Sequence, residues 1–325
     1  MPVRRRGLLA GSLGAVALSP LAYGQQPPRL AWIGAGTAAE WVPYLDAFRD
    51  GLRENGLVEG RDFILDLYWA DGQYERFPTL VATAMTQRPA MFLAVTIASV
   101  RAIQQQTKTI PIVFMSTNDP VGAGLVQSLA RPGGNATGIA TMADDAVPKL
   151  VELVREALPN AKRLAALLNP LNSTNRPIFE QIRVASLAVG MTAMAVEVDQ
   201  PSRALDAATA AIAQGAEAFL VGFDATHFQL RESISALGIA KHVGIIANHP
   251  DYARAGALLG YGAYRPAMYR RSATYVKRIL AGAKPGDLPV EQPTSFGLML
   301  NLRTAKAIGL TLPPSLLARA DEVIE

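Results

Sequence analysis

Apolar and polar positions along the chain alternate between two rhythms. Leu30-Ala31-Trp32-Ile33-Gly34 is a short apolar run closed by glycine, the pattern of a buried strand. Over 40–55 the apolar residues Tyr44, Leu45, Phe48 and Leu52 recur at helical spacing, and Gly56 stops the pattern. Residues 63–69 alternate and predict a second strand. A helix over 77–87, a strand over 91–95, a helix over 99–106 and a strand over 110–115 follow. The rhythm then restarts. It predicts helix 147–158, strand 164–168, helix 177–189, strand 192–198, helix 202–214, strand 218–221, helix 228–237 and strand 243–247. Short strands alternating with helices of ten or more residues specify parallel α/β sheet.

The restart predicts two similar, doubly wound α/β lobes in series. The glycine-rich stretch Arg131-Pro132-Gly133-Gly134-Asn135-Ala136-Thr137-Gly138 is the expected crossing between them, and 258–261 and 288–301 are expected to cross again. Residues 28–140 with about 262–285 then form an N-terminal lobe, and 141–258 with about 286–325 a C-terminal lobe. Several crossings make a multi-strand hinge, and the cleft between such lobes is a common ligand site.

Composition removes several classes. Half of the 325 residues are hydrophobic and 18% are charged, which excludes a disordered chain. With no cysteine there is no disulfide, thiolate metal site, cysteine nucleophile or cysteine-linked lipid. The net charge is +4, and Arg4, Arg5 and Arg6 supply three of those charges, so the body has no electrostatic footprint for nucleic acid. Those arginines precede an apolar run to about Leu18, then Ser19-Pro20 and the small-x-small Ala22-Tyr23-Gly24. That is a secretory signal over 1–24, too short to span a bilayer. Arg5-Arg6-Gly7-Leu8-Leu9 also resembles a twin-arginine signal, so either export route leads to a periplasmic mature protein.

Candidate chemistry is sparse. Gly34-Ala35-Gly36-Thr37-Ala38-Ala39 matches the dinucleotide fingerprint, but the acid wanted about 20 residues on is missing, and Asp66 falls inside a strand. The milder reading is a tight loop presenting amides to a small ligand. His227, His242 and His249 form no metal spacing, and no cofactor or metal is expected. Asp144-Asp145 reads as a helix cap. What recurs is polarity where strands should end: Gly36 and Thr37, Thr96 and Ser99, Asn118 and Asp119, Asn169 and Asn172, Asp224, and Asn248. Each reads equally as a cap or a turn, but ligands of open parallel sheets bind beyond the strands' carboxyl ends. Hydroxyls and amides suit a carboxylate, and Asp119 or Asp224 suits an ammonium. Trp41, Tyr44, Tyr252, Tyr261 and Tyr264 are candidates for an aromatic wall.

Ordered blocks carry a resemblance. They are Phe48-Arg49-Asp50-Gly51-Leu52-Arg53-Glu54-Asn55-Gly56, Trp69-Ala70-Asp71-Gly72, Asp119-Pro120-Val121-Gly122, Leu288-Pro289-Val290-Glu291-Gln292-Pro293-Thr294, and Ala318-Arg319-Ala320-Asp321-Glu322-Val323-Ile324. From about Arg29 to the end the chain resembles substrate-binding proteins of bacterial ABC transporters, the group with tryptophan and tyrosine binders. The resemblance implies a type 1 periplasmic-binding-protein fold and a monomeric, non-enzymatic receptor. Such a receptor captures a small solute, an amino acid or organic acid, by hinge closure and delivers it to an inner-membrane permease. An aromatic or branched amino acid is the favoured ligand. The loop at Gly34 to Thr37, Asp119 and Asn169 carry over by motif. Ile97 stands where the family often has a hydroxyl, and Ala225 where it often has proline. Two alternatives stay open at this point: an exported α/β enzyme using the Gly34–Gly36 loop, and a sensory partner of a membrane signalling protein.

Export is directly testable. N-terminal sequencing of the protein from a periplasmic fraction of its host is expected to begin near Gln25. Full-length protein confined to the cytoplasm overturns the signal assignment.

Overall fold

A computed structural model describes residues 26–141 and 143–325. The signal expected over 1–24 lies outside the described residues. The N-terminal half runs β1 (Arg29–Gly34), α1 (Val42–Glu54), β2 (Ile64–Trp69), α2 (Phe77–Thr86), β3 (Met91–Ala94), α3 (Ile97–Gln106), β4 (Ile112–Thr117) and β5 (Ala136–Ala140). The second run is α4 (Val147–Ala157), β6 (Arg163–Leu168), α5 (Asn175–Ala188), β7 (Thr192–Glu197), α6 (Ala204–Ala213), β8 (Ala218–Val221), α7 (Arg231–Ala240) and β9 (Gly244–Ala247). It closes with α8 (Asp251–Arg254), β10 (Leu259–Ala263), α9 (Arg265–Leu280), β11 (Phe296–Asn301), α10 (Leu302–Ala307), α11 (Pro314–Leu317) and β12 (Glu322–Ile324).

The two sheets repeat one topology. The first has order β2-β1-β3-β4-β5, and the second has order β7-β6-β8-β9-β10 with β11 and β12 added at its far edge. All pairings are parallel except β10 with β11. Central strands such as β3, β8 and β9 are buried along their whole length, because helices cover both faces. Edge strands β2 and β7 keep partial exposure, and β2 is the strand whose sequence reads as alternating. Asp66 is spent at the β1–β2 edge, where the Arg29 Nε donates to it at 2.7 Å and Nη2 at 2.5 Å.

The lobes exchange helices. After β5 the chain crosses and α4 packs on α5 and β9, whereas after β10 it crosses back and α9 packs on α1 and β4. The α1–α9 contact is close at Gly51, where a Cβ would overlap the Arg270 carbonyl oxygen. Two expected crossings are displaced. The glycine-rich stretch from Arg131 feeds β5, which pairs with β4, so the first crossing follows at 141–146. Likewise β10 stays in the second sheet, and the crossing follows it at Tyr264. Residues 285–291 run along the first lobe, with Val290 N bonded to Leu129 O and Glu291 bridged to Ile139, before the third crossing into β11. The cause is common to both displacements. A turn-rich or apolar stretch marks a strand's start or body, and a parallel strand must complete its pairing before the chain can leave the sheet.

Gly138 shows the tightness of the β4–β5 pairing. Its φ is +148°, and a Cβ would overlap the Phe114 carbonyl oxygen. Gly138→Ala is expected to lower the unfolding free energy by about 2 kcal/mol or more, read by urea denaturation. An unchanged midpoint contradicts this packing.

Candidate ligand-binding site

The carboxyl ends of both sheets face each other. Loops after β1, β3 and β4 bring Trp41, Thr96, Thr117 and Asn118 to the interface, and loops after β6, β8 and β9 bring Asn172, Asp224 and Asn248. Arg265 enters at the start of α9, and Tyr74 from the short 3-10 turn that follows β2. Together they line a cavity of about 60 Å³ between the lobes.

Asp224 organises the second lobe's half. Its side chain is buried, with Asn169 Nδ2 donating to Oδ1 at 3.1 Å and Asn172 Nδ2 to Oδ2 at 2.8 Å. Tyr74 Oη reaches across from the first lobe and donates to Oδ2 at 3.0 Å. Burial, and then the Asp224 charge, raise the Tyr74 hydroxyl well above its ordinary pKa, so it stays a donor. Behind them Asn175 ties the two loops together, accepting from Asn169 N at 2.8 Å and donating to Phe223 O at 3.0 Å. A second bond crosses the lobes where Tyr44 Oη donates to Asp251 Oδ2 at 2.8 Å, and a third joins Arg101 to Ser173 Oγ at 3.3 Å.

Among the described residues, four that line the cavity carry a buried polar atom with no protein partner: Trp41 Nε1, Thr117 Oγ1, Asn118 Nδ2 and Asn248 Oδ1. The Asn118 orientation is fixed by its other atom, since Oδ1 accepts from Ala143 N at 2.8 Å and Thr141 Oγ1 at 3.3 Å. Leaving such an atom unpaired costs about 1–3 kcal/mol, so four converging on one cavity point to something that pairs them.

The expected residues divide. Thr96, Asn118, Asn172, Asp224 and Asn248 line the cavity. Ser99 does not: it is fully buried in a capping box with Thr96, each hydroxyl accepting the other's backbone N–H at 3.1 Å. Asn169 stands behind Asp224. Tyr252 is buried beneath, with its hydroxyl donating to His227 O at 3.3 Å. Asp119 folds onto its own turn, accepting from Gly122 N at 2.8 Å, in a neighbouring recess shared with Arg101 and Asp144. At Gly36 and Thr37 the loop is filled from within. The Glu40 carboxylate takes the Thr37 N–H at 3.1 Å and the Trp41 indole covers Gly36, so a phosphate's place is occupied by the protein's own anion.

Of the expected aromatic wall only Trp41 lines the cavity. Tyr44 packs on Phe228, Tyr261 stacks on Phe296, and Tyr264 is exposed at the hinge. Asp144 and Asp145 do not cap α4, whose N-cap is Ala146. Instead burial, and then the nearby Asp119 and Asp145, raise the Asp144 carboxyl. Sequence reasoning missed Tyr74, Thr117 and Arg265. The strand-end rule, applied to β10, would have found Arg265. Tyr74 had no such signal, because it sits beyond an edge strand.

Two buried histidines flank the site. His249 Nδ1 accepts the Asp251 N–H at 3.1 Å, and burial holds its pKa well below 6.5. His227 bonds Val198 O through Nε2 at 3.1 Å, and burial likewise lowers it. Although the Asp251 carboxylate lies 3.5 Å from His249, that ring's nitrogen is already an acceptor, and the ring is neutral. Among the described residues no group of His, Asp and Glu could hold a metal ion, and no helix is long and apolar enough to cross a membrane.

Two facing α/β lobes with a polar cavity and three crossings define a type 1 periplasmic-binding-protein fold. The sequence matches the family described as "ABC transporter substrate binding protein" over residues 43–324, and the chain belongs to that family. It is a family of solute-binding proteins, not enzymes. The chain is 24% identical over 276 residues to the tyrosine-binding protein of Clostridioides difficile (strain R20291), covering 82% of this chain and 78% of that protein. It is similar to the crystal structure of a conserved domain protein from Vibrio cholerae (TM-score 0.86, 26% identity, 92% of this chain and 100% of that one). It is also similar to an ABC domain in complex with L-Trp from Streptococcus pneumonia (TM-score 0.85, 21% identity, 92% and 100%).

The neutral histidines set an acid limit. With folded-state pKa values lowered, the unfolded chain binds more protons once the pH falls below 6.5, so stability drops with acidification. His249, held well below 6.5, is expected to remove about 1 kcal/mol between pH 6.5 and about 5.5, and His227 acts in the same direction by no more than that. Urea denaturation of wild type and of His227→Gln/His249→Gln at both pH values checks this. The double variant should lose most of the dependence over that window.

Proposed function

We propose that this protein is the exported receptor of an ABC uptake transporter, a monomer that captures a small carboxylate-bearing solute, an amino acid, by closure of its lobes. It hands that solute to an inner-membrane permease. One observation carries the reading: among the described residues, four buried unpartnered polar atoms belong to residues lining one cavity, and they come from both lobes. The first lobe offers donors at Trp41 Nε1 and Asn118 Nδ2, and the second offers acceptors at Asn248 Oδ1 and the Asp224 carboxylate. A zwitterion laid across the cleft pairs its carboxylate with the first set and its ammonium with the second. Contacts to both lobes favour the closed arrangement, which is how binding drives closure.

The relatives' descriptions, a tyrosine-binding protein and an L-Trp complex, support an amino acid. Size narrows the choice. A water needs roughly 10–15 Å³ of such space, so a cavity of about 60 Å³ suits a compact, branched side chain. A phenol or indole needs the Tyr74 or Trp41 ring to move.

The test is a thermal-shift panel of the twenty amino acids and their deaminated analogues on wild type and Asp224→Asn. Wild type is expected to prefer an amino acid, with a shift of a few degrees near saturation. Asp224→Asn should bind that amino acid roughly 30-fold more weakly and keep the deaminated acid. No response to any amino acid overturns the reading. An unchanged preference in the variant removes Asp224 as the ammonium's partner.

A further inference from the structure

Arg265 is the first residue of α9, placed where the chain leaves β10 and crosses to the first lobe, and it lines the interlobe cavity. Among the described residues its guanidinium has no ion pair and no hydrogen bond. It lies 5.9 Å from the centroid of the Phe228 ring, which Arg231 already covers at 4.5 Å. A nearby acid, Asp251, is engaged elsewhere, by Arg254 at 2.8 Å and Tyr44 at 2.8 Å. A guanidinium has five donors and no acceptor, and its planar fork matches a carboxylate. Pro266 at the second helical position fixes the turn that aims it.

We infer that Arg265 is the specificity-determining residue of the site and holds the carboxylate of a net-neutral amino acid whose ammonium faces Asp224. The inference rests on the amino-acid reading above and adds the substrate's charge class. Among the described residues the cavity wall carries one cation, Arg265, and one anion, Asp224. A net-neutral zwitterion satisfies both. A simple monocarboxylate leaves Asp224 facing a second anion, and a diacid worsens that repulsion. The donors at Trp41 Nε1 and Asn118 Nδ2, on the first lobe against which α9 packs, complete the carboxylate's set.

The experiment compares each acid with its decarboxylated amine. L-valine with isobutylamine and L-tyrosine with tyramine are measured by calorimetry, with the tightest of the twenty amino acids and its amine as a third pair. Wild type, Arg265→Met and Arg265→Gln are used. Wild type is expected to prefer the acid, and both variants should lose that preference by roughly 30-fold or more. Their melting temperatures without added solute should stay close to wild type, because no hydrogen bond or ion pair is lost, only the long contact with the Phe228 ring. An acid preference retained in either folded variant overturns the assignment of Arg265 while leaving the amino-acid reading intact. Wild type that binds none of the twenty amino acids overturns that earlier reading, and this one with it.

Discussion

A carboxylate buried at the end of a strand must be hydrogen-bonded or it costs several kcal/mol. Asp224 meets that constraint with donors from two places: Asn169 and Asn172 on the neighbouring β6 loop, and Tyr74 on the opposite lobe. One group thereby fixes adjacent strand ends relative to each other and hooks the first lobe over the second. Asn175 braces the same loops from behind. The polar half of the cavity exists because this charge has to be satisfied there.

The same cavity holds opposing terms. Tyr74 and Tyr44 each donate to a carboxylate on the opposite lobe, which favours the closed arrangement, and the unpartnered polar atoms lining the cavity oppose it. Pairing those atoms removes the opposing term. A rigidly closed receptor would neither admit nor release its cargo, and a site with every polar group already paired would have nothing to offer a ligand.

The exchanged helices tie the two lobes together. Because α4 packs on the second lobe and α9 on the first, each lobe is completed by chain that has just left the other. The crossings near 141–146, 264 and 292–295 are short, and Arg265 and Tyr264 sit at one of them. Arg265 therefore faces the cavity while Tyr264 is exposed at the hinge, so the ligand site and the hinge share one turn of chain.

The sequence by itself determined the strand and helix rhythm, the duplication into two lobes, and the placing of polar residues at strand ends. These depend on local periodicity, and a buried parallel strand such as Phe92-Leu93-Ala94 announces itself in a run of a few residues. The sequence also marked Thr96, Asn118, Asn172, Asp224 and Asn248, because strand ends of a doubly wound sheet point to one side. It could not separate these from Ser99, Asp119 or Asn169, which share their residue types and strand-end positions. Whether a hydroxyl caps its own helix, as Ser99 does, or faces a cavity depends on which way it points once the helix is packed. Trp41 and Arg265 lie within reach of local rules, an aromatic position at a helix start and a strand end, but that they meet Tyr74 at one cavity depends on the two lobes facing each other. Tyr74 answers to no such rule: its partner Asp224 is 150 residues on and belongs to the other lobe, a proximity set by tertiary packing, which no local pattern encodes.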